Sequence, residues 1–198
     1  YAMDVLCGAL FWVIRAVGDS VTMNQRWVFG YGLMMWNPDF DYISTAHARI
    51  NGYHRSLCVY SLHHRGTRQS PGLVLGLDHG GSCTGVAFEI DDAKWQDTLA
   101  YLRAREQISM VYREISHPVE ILETRRLVEA VAYVADTMHD QYAGKLSHDE
   151  LIKHVMQGTG DYGRCRDYVA NTLSHLRGMG IRDETLEAIG AELSLLGA

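Results

Sequence analysis

The chain has 198 residues, a length that suits one domain and can bury a core without a disulfide or metal staple. Hydrophobic residues make up 47% and charged residues 21%, which excludes intrinsic disorder, collagen-like repeats and coiled coil. The net charge of −6, from 18 basic and 24 acidic side chains, argues against a nucleic-acid partner. No apolar run approaches the length of a membrane span.

Taken in chain order, the first feature is the apolar run Val5 to Ile14, with Asp4 before it and Arg15 after it. A signal peptide needs a basic start and a small-residue cleavage site. Asp4 has the wrong sign and no such site follows, so the run reads as a packed helix or a stretch peripheral to the fold. Tyr1 in place of Met suits a tag remnant or a clipped start. Residues 1 to 26 are set apart as an N-terminal extension, and 27 to 198 read as a single domain. Trp27 to Tyr31 is aromatic and β-branched and predicts a strand, which Gly30 and Gly32 then turn. Leu57 to Ser61, Leu73 to Leu77 and Thr84 to Ile90 predict further strands, with His79 to Ser82 as a turn between the last two. A helix follows from about residue 92. Met110 to Glu114, Val119 to Leu122 and Leu127 to Ala135 return to strand.

From Ser147 the pattern is helical. Ser147-His148-Asp149-Glu150 is a capping box. Arg166 to Arg177 and Asp183 to Leu196 make two more helices, separated by Gly178 and Gly180. Strands followed by helices predict an α+β fold, with about seven short strands in a small barrel or strongly bent sheet. The cysteines at 7, 58, 83 and 165 form no C-x-x-C pair, and isolated thiols suit a reducing cytoplasm.

Glu106 is the most informative position. Trp95, Leu99, Leu102 and Glu106 lie on one helical stripe, so a carboxylate continues a buried face where helix gives way to strand. Desolvation there raises a carboxyl pKa toward values useful for proton transfer. The alternatives are a buried salt bridge with an arginine, or a helix that has already ended. Phe29 to Trp36 holds a Gly-flanked turn whose backbone N–H groups can converge on a carboxylate or oxyanion. The same composition also makes a tight turn over an aromatic core. His63 and His64 are adjacent, so on a strand they face opposite ways and chelate no single ion. His148 and His154, six apart, are read as surface residues. Gly158-Thr159-Gly160-Asp161-Tyr162-Gly163 spells G-x-G-x-x-G but follows a helix rather than a strand, so it reads as an interhelical loop. No serine has a nucleophile-elbow setting, and Cys83 reads as a structural thiol.

Together these segments resemble the ChaC-like branch of the γ-glutamylcyclotransferase superfamily. The matching stretches are Trp27 to Pro38, Gly52-Tyr-His-Arg55, His64-Arg-Gly-Thr67, Pro71 to Leu77, Gly80 to Ala87, Tyr101 to Glu106 and Asp167-Tyr168. The resemblance implies a small mixed β-barrel with flanking C-terminal helices. It implies an enzyme that cleaves glutathione to 5-oxoproline and cysteinylglycine with no metal or organic cofactor. The family's catalytic glutamate falls on Glu106, and its γ-glutamyl-holding loop falls on Tyr31, Gly32, Leu33 and Met34. Arg55 and Tyr168 are candidates for contacts to a substrate carboxylate and a pocket wall, or else for a structural salt bridge and a core hydroxyl. The chain departs from the family at the loop. Leu33 stands where the family has serine, and Met34 where it has leucine. A γ-glutamyl-binding regulatory module, of the kind labelled a cation-transport regulator, and a cyclotransferase for other γ-glutamyl amines are the two further readings.

Overall fold

The computed structural model describes residues 25–196. The apolar run Val5 to Ile14, Cys7 and almost all of the expected extension lie outside the described residues. Strand β1, Arg26–Gly30, has Trp27 and Phe29 on one buried face and Val28 on the other. A burial pattern this two-sided marks a strand covered on both sides. A 3-10 turn at Leu33–Met35 follows, then two very long antiparallel strands, β2 (Ser44–Ser61) and β3 (Gly72–Ile90). Helix α1 (Trp95–Glu106), entered through a 3-10 turn at Asp92–Lys94, leads to β4 (Tyr112–Ile121) and β5 (Leu127–Ala135). The five strands close a barrel in the order β1-β3-β2-β4-β5, with β1 parallel to β5 through Trp27 opposite Ala130 and Val28 opposite Val131.

Alternation divides the barrel's faces. Val128, Ala130, Ala132 and Val134 of β5 point inward, with Trp27, Phe29, Ile50 and Leu77. Leu73, Leu75, Phe88 and Ile90 face outward and are covered by Leu99 and Leu102 of α1 and by the C-terminal helices. Those helices are α2 (His148–Gln157), α3 (Cys165–Gly178) and α4 (Glu184–Leu195). The α2 capping box forms: Ser147 Oγ accepts from Glu150 N–H, and Glu150 accepts from Ser147 N–H at 2.8 Å. Gly180, at φ +69°, closes α3, and Ile181 N–H reaches back to Leu176 O at 2.9 Å. Among the described residues, no helix is long and apolar enough to cross a membrane.

The barrel has five strands where about seven short ones were expected. Leu57 to Ser61 belongs to the long strand β2. His79 to Ser82 is no chain reversal. Pairing of β2 with β3 resumes on both sides, through Asn51 opposite Ser82 and Tyr53 opposite His79. Gly52, Gly80 and Gly81 take positive φ there and make an irregularity that bends strands far longer than the usual 3–10 residues. The segments around 112 and 121 are likewise one strand. Pro118 interrupts nothing because β4 bonds β2 only from Val119 to Ile121, so the missing N–H falls on the free edge.

The literal G-x-G-x-x-G is a minute hairpin, β6 (Thr159–Gly160) and β7 (Gly163–Arg164), between α2 and α3. Its glycines serve contact. A Cβ on Gly158 or Gly160 would collide with the backbone at Arg65, His63 or Gly66. Asp161 and Tyr162 N–H groups donate to His63 O and His64 O at 2.8 and 3.0 Å. The hairpin thereby clamps the turn that carries Arg65. Cys165 is a structural thiol: its Sγ donates to Leu73 O and accepts from Leu73 N–H.

Arg55, on β2, is buried with its side chain 3% exposed. It donates to Tyr31 O at 2.6 Å, Thr84 O at 2.8 Å and Asp183 Oδ2 at 3.0 Å. Asp183 in turn caps α4 by accepting from Leu186 N–H. One guanidinium thus joins the turn after β1, strand β3 and the start of α4.

Two predictions follow from this packing. Arg55→Leu leaves Asp183 without its cation and three acceptors without a donor; chemical denaturation should show a loss of about 3–5 kcal/mol. A loss under 1 kcal/mol would contradict the buried junction. Gly160→Ala should cost about 1–3 kcal/mol because backbone must move, whereas Gly178→Ala, open around its Cβ, should be neutral or stabilising. Equal melting temperatures for the two variants would contradict the clamp.

Candidate active site

A pocket of about 530 Å³ opens where β1 leaves the barrel. The two features that stood apart in the sequence meet there. Glu106 lines one wall and the Gly30 to Met34 turn lines another.

Helix α1 delivers Glu106. Its buried Trp95, Leu99 and Leu102 fix the rotation of the helix, and Glu106 is its last residue. The carboxylate side chain is 22% exposed. Burial holds its pKa above the ordinary carboxylate value, against the lowering effect of Arg105. Arg105 Nε lies 3.2 Å from Glu106 Oε1. The same guanidinium donates through Nη1 to Asn37 O at 3.1 Å and Pro38 O at 2.9 Å. The arginine expected for a salt bridge is therefore present, and it ties the carboxylate to the chain that follows the turn.

The turn is held from beneath. Arg55 takes Tyr31 O, while Met35 and Trp36 N–H groups are used on Gly32 O and Leu33 O. Among the described residues, the N–H groups of Leu33 and Met34 have no protein acceptor, as expected for the first turn of a helix. Met34 is 7% exposed and packs into the outer core, whereas Leu33 is 48% exposed at the mouth. The Leu33 side chain, where the resemblance implies a serine, thus sits on the rim.

Three phenols complete the floor. Tyr112 donates to Leu75 O at 2.7 Å, and Tyr168 accepts from Leu75 N–H at 3.2 Å, so both are anchored on one residue of β3. The Tyr31 hydroxyl lines the pocket and has no hydrogen-bond partner among the described residues. Burial, with Tyr112 and Glu106 nearby, pushes its pKa well up, so it stays protonated and free to donate. Tyr133 also lines the pocket and donates to Glu114 at 2.9 Å, a carboxylate gripped by Nε and Nη2 of Arg103.

Tyr31, Gly32, Leu33, Met34, Glu106 and Tyr168 therefore line one pocket. Arg55 is not among its lining residues; it acts on the far side of the Tyr31 carbonyl. Sequence reasoning did not single out Tyr112, Arg105 or Arg65 as site residues. Arg65 lay in view beside the paired histidines, and Arg105 lay one residue before Glu106. A second, open cavity of about 370 Å³ against Trp36, Tyr42 and Phe88 holds none of Tyr31, Gly32, Leu33, Met34, Arg55, Glu106 and Tyr168. Among the described residues, no group of three or more His, Cys, Asp or Glu side chains is placed to hold a metal ion.

Known proteins place this architecture. The chain is 30% identical over 169 residues to the glutathione-specific γ-glutamylcyclotransferase 1 of Homo sapiens, covering 82% of this chain and 76% of that one. It is 29% identical over 178 residues to the glutathione-specific γ-glutamylcyclotransferase of Escherichia coli, covering 87% and 77%. The crystal structure of a γ-glutamyl cyclotransferase specific to glutathione from yeast superposes with a TM-score of 0.75 at 22% identity, covering 84% of this chain and 94% of that one, which shows the shared fold. The model of the ChaC-like protein family matches residues 26–194, and on that match the chain belongs to this family.

Proposed function

We propose that the chain is a γ-glutamylcyclotransferase that cleaves glutathione to 5-oxoproline and cysteinylglycine, with Glu106 as its acid–base group. The observation that carries the assignment of the site is the placement of a desolvated carboxylate in one pocket with an amide-bearing turn. The relatives' glutathione specificity supports the choice of substrate.

The reaction is a ring closure. Glu106 takes a proton from the substrate's α-ammonium. The free amine attacks the γ-glutamyl carbonyl, and the bond from that carbonyl to the cysteinyl nitrogen breaks. Glu106 returns its proton to the departing nitrogen, and the second proton that the attacking nitrogen sheds on ring closure leaves the cysteinylglycine amine as an ammonium. An α-ammonium titrates near pH 8, so a carboxylate raised by burial is better matched to it than an exposed one. Nucleophile and electrophile belong to one molecule, so the protein's main task is to hold the substrate folded. The free N–H groups of Leu33 and Met34 and the protonated Tyr31 hydroxyl are the donors for the substrate's carboxylate and the developing oxyanion. Tyr112 and Tyr168 form the wall behind it. No step calls on a metal or an organic cofactor.

The exposed position of Leu33 bears on the regulatory alternative. The lost hydroxyl belongs to the rim, and the backbone donors and Glu106 remain, which favours turnover over binding alone. Reduced glutathione is a molecule of reducing compartments, and the buried free thiols Cys58, Cys83 and Cys165 are at home there, which supports a cytoplasmic setting.

Glu106→Gln should lower 5-oxoproline release by at least about 100-fold while leaving the melting temperature unchanged or raised, since a costly buried charge is removed. Turnover near wild type would contradict the assignment. The working form of Glu106 is ionised, so kcat/KM should rise with pH through a limb above the ordinary carboxylate range. Arg105 lowers that pKa, so Arg105→Gln should move the limb to higher pH. A limb that stays put or moves down would contradict the electrostatics.

A further inference from the structure

The ring-closing step leaves one charged group of the pocket unused. Arg65 sits on the connection between β2 and β3 and lines the pocket. Its guanidinium lies over the Tyr168 ring, 5.3 Å from the centroid, and its Nη1 donates to Tyr162 O. Among the described residues it has no carboxylate partner, although nine other basic side chains do. Its Nε and Nη2 have no acceptor there either. A half-buried, unpaired guanidinium facing a cavity is a site for an anion, and its planar fork matches a carboxylate.

Contacts link the groups of the pocket. Glu106, Tyr31, Tyr112, Tyr168 and Arg65 all line it. Tyr112 and Tyr168 are both bonded to Leu75, and the Arg65 guanidinium lies over the Tyr168 ring. A γ-glutamyl peptide with its amine at Glu106 shares this one cavity with Arg65.

Arg65 is also held in place. Its own N–H donates to Ser61 Oγ at 2.9 Å. The next residue, Gly66, lies so close to Gly72 that no side chain fits, and Gly158 and Gly160 press on the same turn. A guanidinium carried on so constrained a main chain loses little freedom on meeting an anion.

We propose that Arg65 binds the C-terminal carboxylate of the substrate and so selects γ-glutamyl peptides with a free carboxylate over γ-glutamyl amines. This rests on the ring-closing reading of the pocket. It makes Arg65 a specificity-determining residue, with the acid–base chemistry left to Glu106.

The test compares glutathione with its C-terminal amide, by release of 5-oxoproline, in the wild type, Arg65→Gln and Arg65→Lys. A charge-assisted pair with the carboxylate predicts a wild-type preference for glutathione of about 10- to 100-fold in kcat/KM, expressed mainly in KM. In Arg65→Gln the ratio of the two substrates should fall to near one, and Arg65→Lys should keep part of it. A purely structural Arg65 would lower turnover of both substrates alike, and that result overturns the proposal, as does a wild type indifferent to the amide. A wild type that releases no 5-oxoproline from either peptide contradicts the ring-closing reading instead. Calorimetric binding of the two peptides then decides Arg65, with equal affinities overturning it.

Discussion

The buried guanidinium of Arg55 is the junction on which the rest of the site depends. A charge this deep is tolerated only when its donors are satisfied, and here the three acceptors come from three separate parts of the fold. Tyr31 O belongs to the turn, Thr84 O to β3, and Asp183 to the cap of α4. The barrel gives Arg55 its burial, and Arg55 gives the turn its position. Among the described residues, the N–H groups of Leu33 and Met34 have no protein acceptor, because they open a helical turn. Arg55 anchors the residue just before that turn through Tyr31 O, so a charge network that looks like stability also positions the backbone donors.

A second arginine does the corresponding work on the other side. Arg105 contacts the Glu106 carboxylate and holds two carbonyls just beyond the turn. Helix and turn, brought together from distant stretches of sequence, are thus tied across the pocket mouth. Burial raises the Glu106 pKa and the adjacent guanidinium restrains the rise.

Much of this was legible in the sequence where the signal was local. The stripe from Trp95 to Glu106 placed the carboxylate at the end of a buried helical face, and the Ser147 to Glu150 box marked the start of α2. The glycine-flanked turn after Trp27 to Tyr31 could be read as a donor cluster. The signals that failed were those whose meaning is set by distant partners. Gly80 and Gly81 read as a reversal because turn chemistry is local, whereas the pairing of β2 across them is not. Pro118 obscured one strand because its edge position depends on where β2 stops. Arg55 stays open in the sequence between a substrate contact and a structural salt bridge because its partner, Asp183, lies 128 positions away. The G-x-G-x-x-G reads correctly as a connection between helices, but the contact its glycines make with the Arg65 turn has no local signal.

The account's central claim is that the protein bends its substrate back on itself, so that the substrate's own amine and no water molecule attacks the γ-carbonyl. The most direct measurement is mass spectrometry of the products formed from glutathione in water enriched in heavy oxygen. The account predicts 5-oxoproline and cysteinylglycine that carry no solvent oxygen. Glutamate bearing the heavy label would contradict it.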